Sequence, residues 1–235
     1  MQELRLRETT NTMNRLLFCF LIFGSFGIAN GQSIELGGGL NRNIFYNLGS
    51  DDGYIRTEYN SGYGYSLFLN LDDTLFTNYF AKLLITFDNF NGKIYATSGG
   101  LGGSSTTNAD VNEKTIGLSY FLFKWKVKKA GWVSFGPALN FLLSKKMIGY
   151  HSSFLVNGGG GGIDTLGKKS THYINDITFG LTARAAYDIR ISNSWFIVPQ
   201  IFIYIGLSND FQNIEAEVNS FRQTIAIGIK KQFIK

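Results

Sequence analysis

Residues 176–190 read DITFGLTARAAYDIR, and this stretch decides the fold. Its odd positions carry Ile177, Phe179, Leu181, Ala183, Ala185, Tyr187 and Ile189. Its even positions carry Asp176, Thr178, Gly180, Thr182, Arg184, Ala186, Asp188 and Arg190. Successive side chains of a strand point to opposite faces, so one face is apolar and the other polar or small. A helix would mix the two sets.

The split recurs along the chain. Tyr63, Tyr65, Leu67, Leu69 and Leu71 oppose Gly62, Gly64, Ser66 and Asn70, with Phe68 as an exception. Leu83, Ile85 and Phe87 oppose Lys82, Thr86 and Asp88; Ile116, Leu118, Tyr120 and Leu122 oppose Thr115, Gly117 and Ser119. Val133, Phe135, Pro137, Leu139 and Phe141 oppose Ser134, Gly136, Ala138 and Asn140. Ile197, Ile201, Ile203 and Ile205 oppose Gln200 and Gly206, a pattern blurred by Phe196, Val198 and Phe202. Ile225, Ile227 and Ile229 oppose Thr224, Ala226, Gly228 and Lys230, and Ser33 to Asn43 forms a first strand. An even number of such strands predicts an all-β, eight-stranded antiparallel up-and-down transmembrane β-barrel. Connections 44–58, 89–112, 144–172 and 208–219 read as long and polar, whereas 72–77, 124–130 and 190–194 read as short. Long loops on one rim and short turns on the other are the outer-membrane pattern.

Alternation alone does not say which face is outside, since a lipocalin-like soluble binder has the opposite facing. Three features favour a membrane. The polar face holds Glu35, Lys82, Asp88, Arg184, Asp188, Arg222 and Lys230, charges of both signs that can pair inside a narrow barrel. Phe76, Tyr79, Trp125, Trp132, Trp195 and Phe233 cluster by the short turns like an interfacial girdle, although Trp125 and Trp132 carry the inward parity. The apolar parity is continuous, and its one charge, Lys231, lies at a strand end that reaches the interface.

A leader precedes the strands. Met13 to Gly31 reads MNRLLFCFLIFGSFGIANG, with Arg15 as n-region, Leu16 to Ile28 as apolar core, and Ala29 and Gly31 as small residues before Gln32. This predicts a signal peptide over 1–31, with translation starting at Met13, and a barrel domain over 32–235. The sole cysteine, Cys19, lies mid-core after the bulky Phe18, which argues against lipidation and leaves the mature chain without disulfides. The opening Glu35-Leu36-Gly37-Gly38-Gly39-Leu40-Asn41-Arg42-Asn43-Ile44-Phe45 resembles the start of small outer-membrane barrels of Bacteroidota, including PorT-like proteins. That resemblance implies the fold, the outer-membrane lipid around it, and envelope protein partners. The final Gln232-Phe233-Ile234-Lys235 departs from the usual terminal aromatic.

Candidate chemistry is sparse. His151 and Ser153 form an H-x-S arrangement similar to that of outer-membrane lipid A deacylases, in which His is the base that activates Ser. Asp164 is the conceivable orienting residue, but Phe154 stands where Asn is expected. Asn157 followed by Gly158 to Gly162 lacks the Lys-Ser/Thr of a phosphate loop and reads as an exposed loop, as does Thr97 to Asn108. The 44–58 loop, with Phe45, Tyr46, Asp51, Asp52, Tyr54 and Arg56, is the richest place for a partner or a calcium ion, but an isolated Asp pair reads as a solvated turn. No cofactor or metal is expected. The Lys124–Lys129 cluster reads as a polar turn rather than a nucleic-acid site, despite a net charge of +5. The expected role is non-catalytic, structural or interactive through long loops; the alternatives are a lipid-modifying hydrolase and a small passive channel.

Overall fold

The computed structural model describes residues 33–46, 55–72, 82–100, 103–127, 130–155, 161–166, 174–210 and 218–233. The expected leader, Asp51, Asp52, Tyr54, Phe76, Tyr79 and residues 157–160 lie outside the described residues. The strands are β1 (Ser33–Tyr46), β2 (Ile55–Asp72), β3 (Lys82–Gly100), β4 (Gly103–Tyr120), β5 (Phe123–Val127), β6 (Gly131–Leu155), β7 (Gly162–Leu166), β8 (Ile177–Tyr187), β9 (Ile189–Arg190), β10 (Trp195–Gly206) and β11 (Asn219–Gln232).

All pairings are antiparallel, and the order β1-β2-β3-β4-β6-β8-β10-β11 returns to β1. β5 continues β4 along β6, β9 continues β8 along β10, and β7 hangs on the far end of β6. Eight strands therefore close the ring, as the alternation predicts. Closure runs through an unbroken β1–β11 ladder from Ser33↔Gln232 to Tyr46↔Asn219.

The faces sort as expected around the lower part of this ring. Leu36, Leu40, Leu67, Phe179, Ile225 and Ile227 point outward and stay exposed, while Glu35, Asn70, Asp88, Arg184, Gln200 and Arg222 are buried within. The irregular residues resolve. Phe68 and Phe202 point inward and meet edge-on at 5.2 Å, joined by Leu84, Phe121 and Ala226. Val198 also faces inward, packed with Trp132, Ala186 and Phe196.

Several expectations need correction. Residues 44–46 and 55–58, read as loop, lie in β1 and β2, and 124–127, read as turn, lie in β5. Trp125 does not face the lumen: the break at Phe121-Leu122 shifts parity, so Phe123 and Trp125 point outward and stack with Phe135 at 4.9 and 5.5 Å. Trp132 keeps its inward facing. Segment 89–112 is not a loop but a hairpin, β3 pairing with β4 without a slip from Leu83↔Tyr120 to Gly100↔Gly103. Segment 144–172 likewise carries β6 to Leu155 and returns as β7.

These strands outrun the membrane. On β2 the outward apolar run spans Tyr63 to Leu71, nine residues, which suits a tilted membrane strand of about 9–11 residues. Beyond it the strands bend. β2 has an irregularity between Ser61 and Tyr65, and β6 accommodates an extra residue, Leu143, opposite Lys114 and Thr115. At Gly62 and Gly64 a Cβ would lie 1.8 Å from the carbonyl oxygens of Asn91 and Asn89, so only glycine permits this approach. We expect Ile227→Lys, a charge on the lipid-facing wall, to lower stability in bilayers by about 2–4 kcal/mol. Urea unfolding in lipid vesicles, followed by the loss of the gel shift between unheated and boiled samples, measures it.

Candidate functional site

The lumen is built from the inward parity and is filled in layers. Near the chain termini, Lys230 pairs with Asp188, and Lys124 reaches Asp72 at 3.5 Å. Above them Arg184, fully buried, donates from Nη2 to Glu35 Oε2 at 2.5 Å and from Nε to Gln200 Oε1 at 2.6 Å. Gln200 in turn donates to Glu35 Oε1 at 2.7 Å, and the guanidinium lies 4.3 Å from the centre of the Trp132 ring. The Phe68–Phe202 layer follows. Then comes a second polar layer, where Asp88 accepts from Arg222 at 2.6 Å, from Thr86 at 3.0 Å and from Ser66. Six of the seven charges expected to face inward therefore pair; the side chain of Lys82 lies outside the described residues. The cavity beside Asp88 and Arg222 measures about 30 Å³, room for one or two waters.

The top of the lumen is apolar. Phe45, Phe90, Ile94, Ala96, Ala109, Val111, Met147, Ile174 and Val218 form one buried cluster on the inner side of the extended strands. Two acids sit under this cap, beyond the apolar belt. Burial, with repulsion from Asp210, pushes Glu113 up to about 8. Burial pushes Asp210 up to about 7, held back by the Ser220 hydroxyl and the Arg222 charge.

The outside reverses accordingly. Below, the wall is apolar with aromatics at its rims: Tyr120, Tyr187, Trp125 and Trp195 at the turn side, Tyr63 and Tyr65 at the other. Lys231 lies 5.3 Å from both the Trp195 and Phe233 rings, a cation at the edge of the belt. An apolar outer wall around paired charges has the polarity that lipid demands and a soluble barrel forbids. This is a membrane-spanning β-barrel of the outer-membrane type.

No family model matches the chain, and no curated protein matches it in sequence. Solved structures similar to it include neisserial surface protein A, at 13% identity and TM-score 0.40, covering 87% of this chain and 100% of that one. OprG of Pseudomonas aeruginosa is similar at 12% identity and TM-score 0.39, with 86% and 97% covered. Ail of Yersinia pestis is similar at 9% identity and TM-score 0.34, with 86% and 99% covered. The fold assignment rests on ring closure and facing, not on these likenesses.

The sequence-predicted site residues lie on the extension. His151 shares a face of β6 with Ser153, and its Nδ1 is 2.8 Å from the Thr107 hydroxyl. Ser153 is exposed, and the register sets Asp164 of β7 opposite His151. In the 44–58 stretch, Phe45 joins the cap and Tyr46 donates to the Gly206 carbonyl at 2.5 Å. Sequence reasoning missed the outer face of this extension, where Ile148, Tyr150, Phe154 and Ile163 remain exposed, Ile163 at 76%. Their signal is the alternation in 148–154, which the polar and glycine-rich residues around it make read as a loop.

Two outcomes follow from the lumen. Glu35→Ala should destabilise by roughly 3–5 kcal/mol, because it strands a buried guanidinium, while Glu35→Leu with Arg184→Met should recover most of that loss. The urea midpoint in bilayers reads both. The folded chain binds the Glu113 and Asp210 protons more tightly than the unfolded chain does. Their contribution is full below the ordinary carboxylate range and is lost as pH rises through about 7 and about 8. Amide exchange at Ile174 and Val218, corrected for intrinsic rates, should therefore be faster at high pH than at low pH, and Glu113→Gln with Asp210→Asn should flatten the difference.

Proposed function

We propose that this chain is a sealed, non-catalytic outer-membrane barrel that works through its extracellular sheet as a surface for another envelope protein. The observation that carries this is the continuation of β2, β3, β4, β6 and β7 past the lipid-facing belt, with Ile148, Tyr150, Phe154 and Ile163 exposed on its outer face. A sheet packed merely to cap the lumen needs apolar residues only on its inner face. The leader expected over 1–31 supplies the export this role requires, and the glycine-rich opening strand supports a place among PorT-like barrels of Bacteroidota.

A channel is disfavoured because paired charges, the Phe68–Phe202 layer and the apolar cap succeed one another along the lumen. Hydrolysis of membrane lipid is disfavoured by position. Ser153 lies nine residues beyond Ser144, where the wall turns polar, or about 30 Å along a strand. An acyl ester buried in the bilayer does not rise that far.

Photo-crosslinkers at Phe154 and Ile163, in intact cells, should capture one defined envelope protein, and Ile148→Asp should abolish that capture. Silence at both positions overturns the surface role. Planar bilayers holding the protein should conduct no more than empty ones, and Ser153→Ala should leave lipid A composition unchanged.

A further inference from the structure

Outside the lumen, a groove of about 320 Å³ crosses the outer face of β2, β3, β4 and β6 where the belt ends. Asn91, Lys93, Asp110, Asn112, Lys146 and Ile148 line it, and the register sets these residues in rows that continue below the groove. The highest apolar row is Leu67–Phe87–Ile116–Phe141. Above it come Asn89–Lys114–Ser144, then Asn91–Asn112–Lys146, then Lys93–Asp110–Ile148. Each step is two residues, about 7 Å along a strand. The first two polar rows thus stand at headgroup height, just past the end of the apolar belt.

The chemistry of these rows is one-sided. Asn112 Nδ2 donates to Asn91 Oδ1 at 2.6 Å and to Asn89 Oδ1 at 3.2 Å, and Asn91 Nδ2 donates to the Tyr63 carbonyl at 2.9 Å. The amides form a fixed floor. Lys114 is exposed and Lys146 partly so; neither forms an ion pair among the described residues. Lys93 is offset by Asp110 at 3.2 Å. Three lysines against one aspartate leave an excess of two positive charges on these rows. Lys114 and Lys146 stand on the rows directly over Phe87 and Ile116.

We propose that this groove binds a phosphoryl group of an acylated lipid in the outer leaflet, with Lys146 in its wall and Lys114 one row below as charge partners, and the chains lying on Leu67, Phe87 and Ile116 beneath. The proposal rests on the membrane reading given above. Cations near a membrane surface each contribute about 1 kcal/mol toward anionic lipid, so two removed together read as a loss of tenfold or more.

The test uses the full barrel in neutral detergent, titrated with bisphosphorylated lipid A and with its dephosphorylated form, the bound fraction being read by native mass spectrometry. Lys114→Gln with Lys146→Gln should weaken binding of the phosphorylated lipid at least tenfold, whereas Lys126→Gln at the opposite rim should not. The wild type should bind the dephosphorylated lipid with a similar loss. Equal binding of the two lipids, or an unchanged affinity in the double variant, overturns the site. Full competition by millimolar inorganic phosphate also overturns it, since the groove would then take a free anion rather than a lipid. The gel shift on heating is recorded for every sample; its absence in the wild type defeats the membrane reading itself, separately from the groove.

Discussion

The hydrogen-bonded seam between β1 and β11 is the constraint on which everything else depends. Inside a bilayer no water is present to satisfy a strand edge, so a sheet in lipid must close on itself. Here the first and last strands of the described chain meet over their full length, from Ser33↔Gln232 to Tyr46↔Asn219. With eight strands the enclosed bore holds packed side chains and little more. Polar side chains on the inner parity therefore have to find partners across the lumen. Glu35 of β1 and Arg184 of β8 do so across 149 positions in sequence, and Asp88 and Arg222 across 134.

The solvent outside decides which parity is apolar. While β3 runs through lipid, its outward residues are Leu83, Ile85 and Phe87. From three positions further, with no slip in its pairing to β4, the apolar residues are Phe90, Ile94 and Ala96, and they face inward. The outward positions become Asn89, Asn91 and Lys93. β4 makes the same exchange between Ile116, Leu118 and Tyr120 outside and Ala109 and Val111 inside. Lipid rewards an apolar exterior; water rewards an apolar interior. One continuous strand obeys each rule in turn.

That reversal explains what could and could not be read in advance. Residues 176–190 keep one phase and were legible as a strand with its facing. Residues 89–112 change phase at the membrane surface, so a search for one unbroken alternation ends at Phe87 and returns a loop. Phe68, Val198 and Phe202 looked like errors of pattern because an apolar side chain on the polar parity has no local explanation; only the far wall supplies one, as when Phe68 of β2 meets Phe202 of β10. Trp125 was misfaced because the break at Phe121-Leu122 shifts parity by one position, an event without a glycine or proline to mark it. The charges are legible as inward and as paired, but which one meets which is not, since partners lie on strands far apart in the chain.

The sealing of the lumen bears on where function resides. Its charges are bound to one another on both sides of an aromatic layer and beneath an apolar cap, so moving an ion past them would mean breaking a buried pair. A polar interior of this kind holds the wall together. The outer rim is different. There the change of solvent forces the chain to present amides, cations and, on β6 and β7, apolar side chains to the outside, none of which ring closure requires. What the barrel does not need for its own stability is concentrated where β3, β4 and β6 leave the membrane, and a role for the protein is most economically placed there.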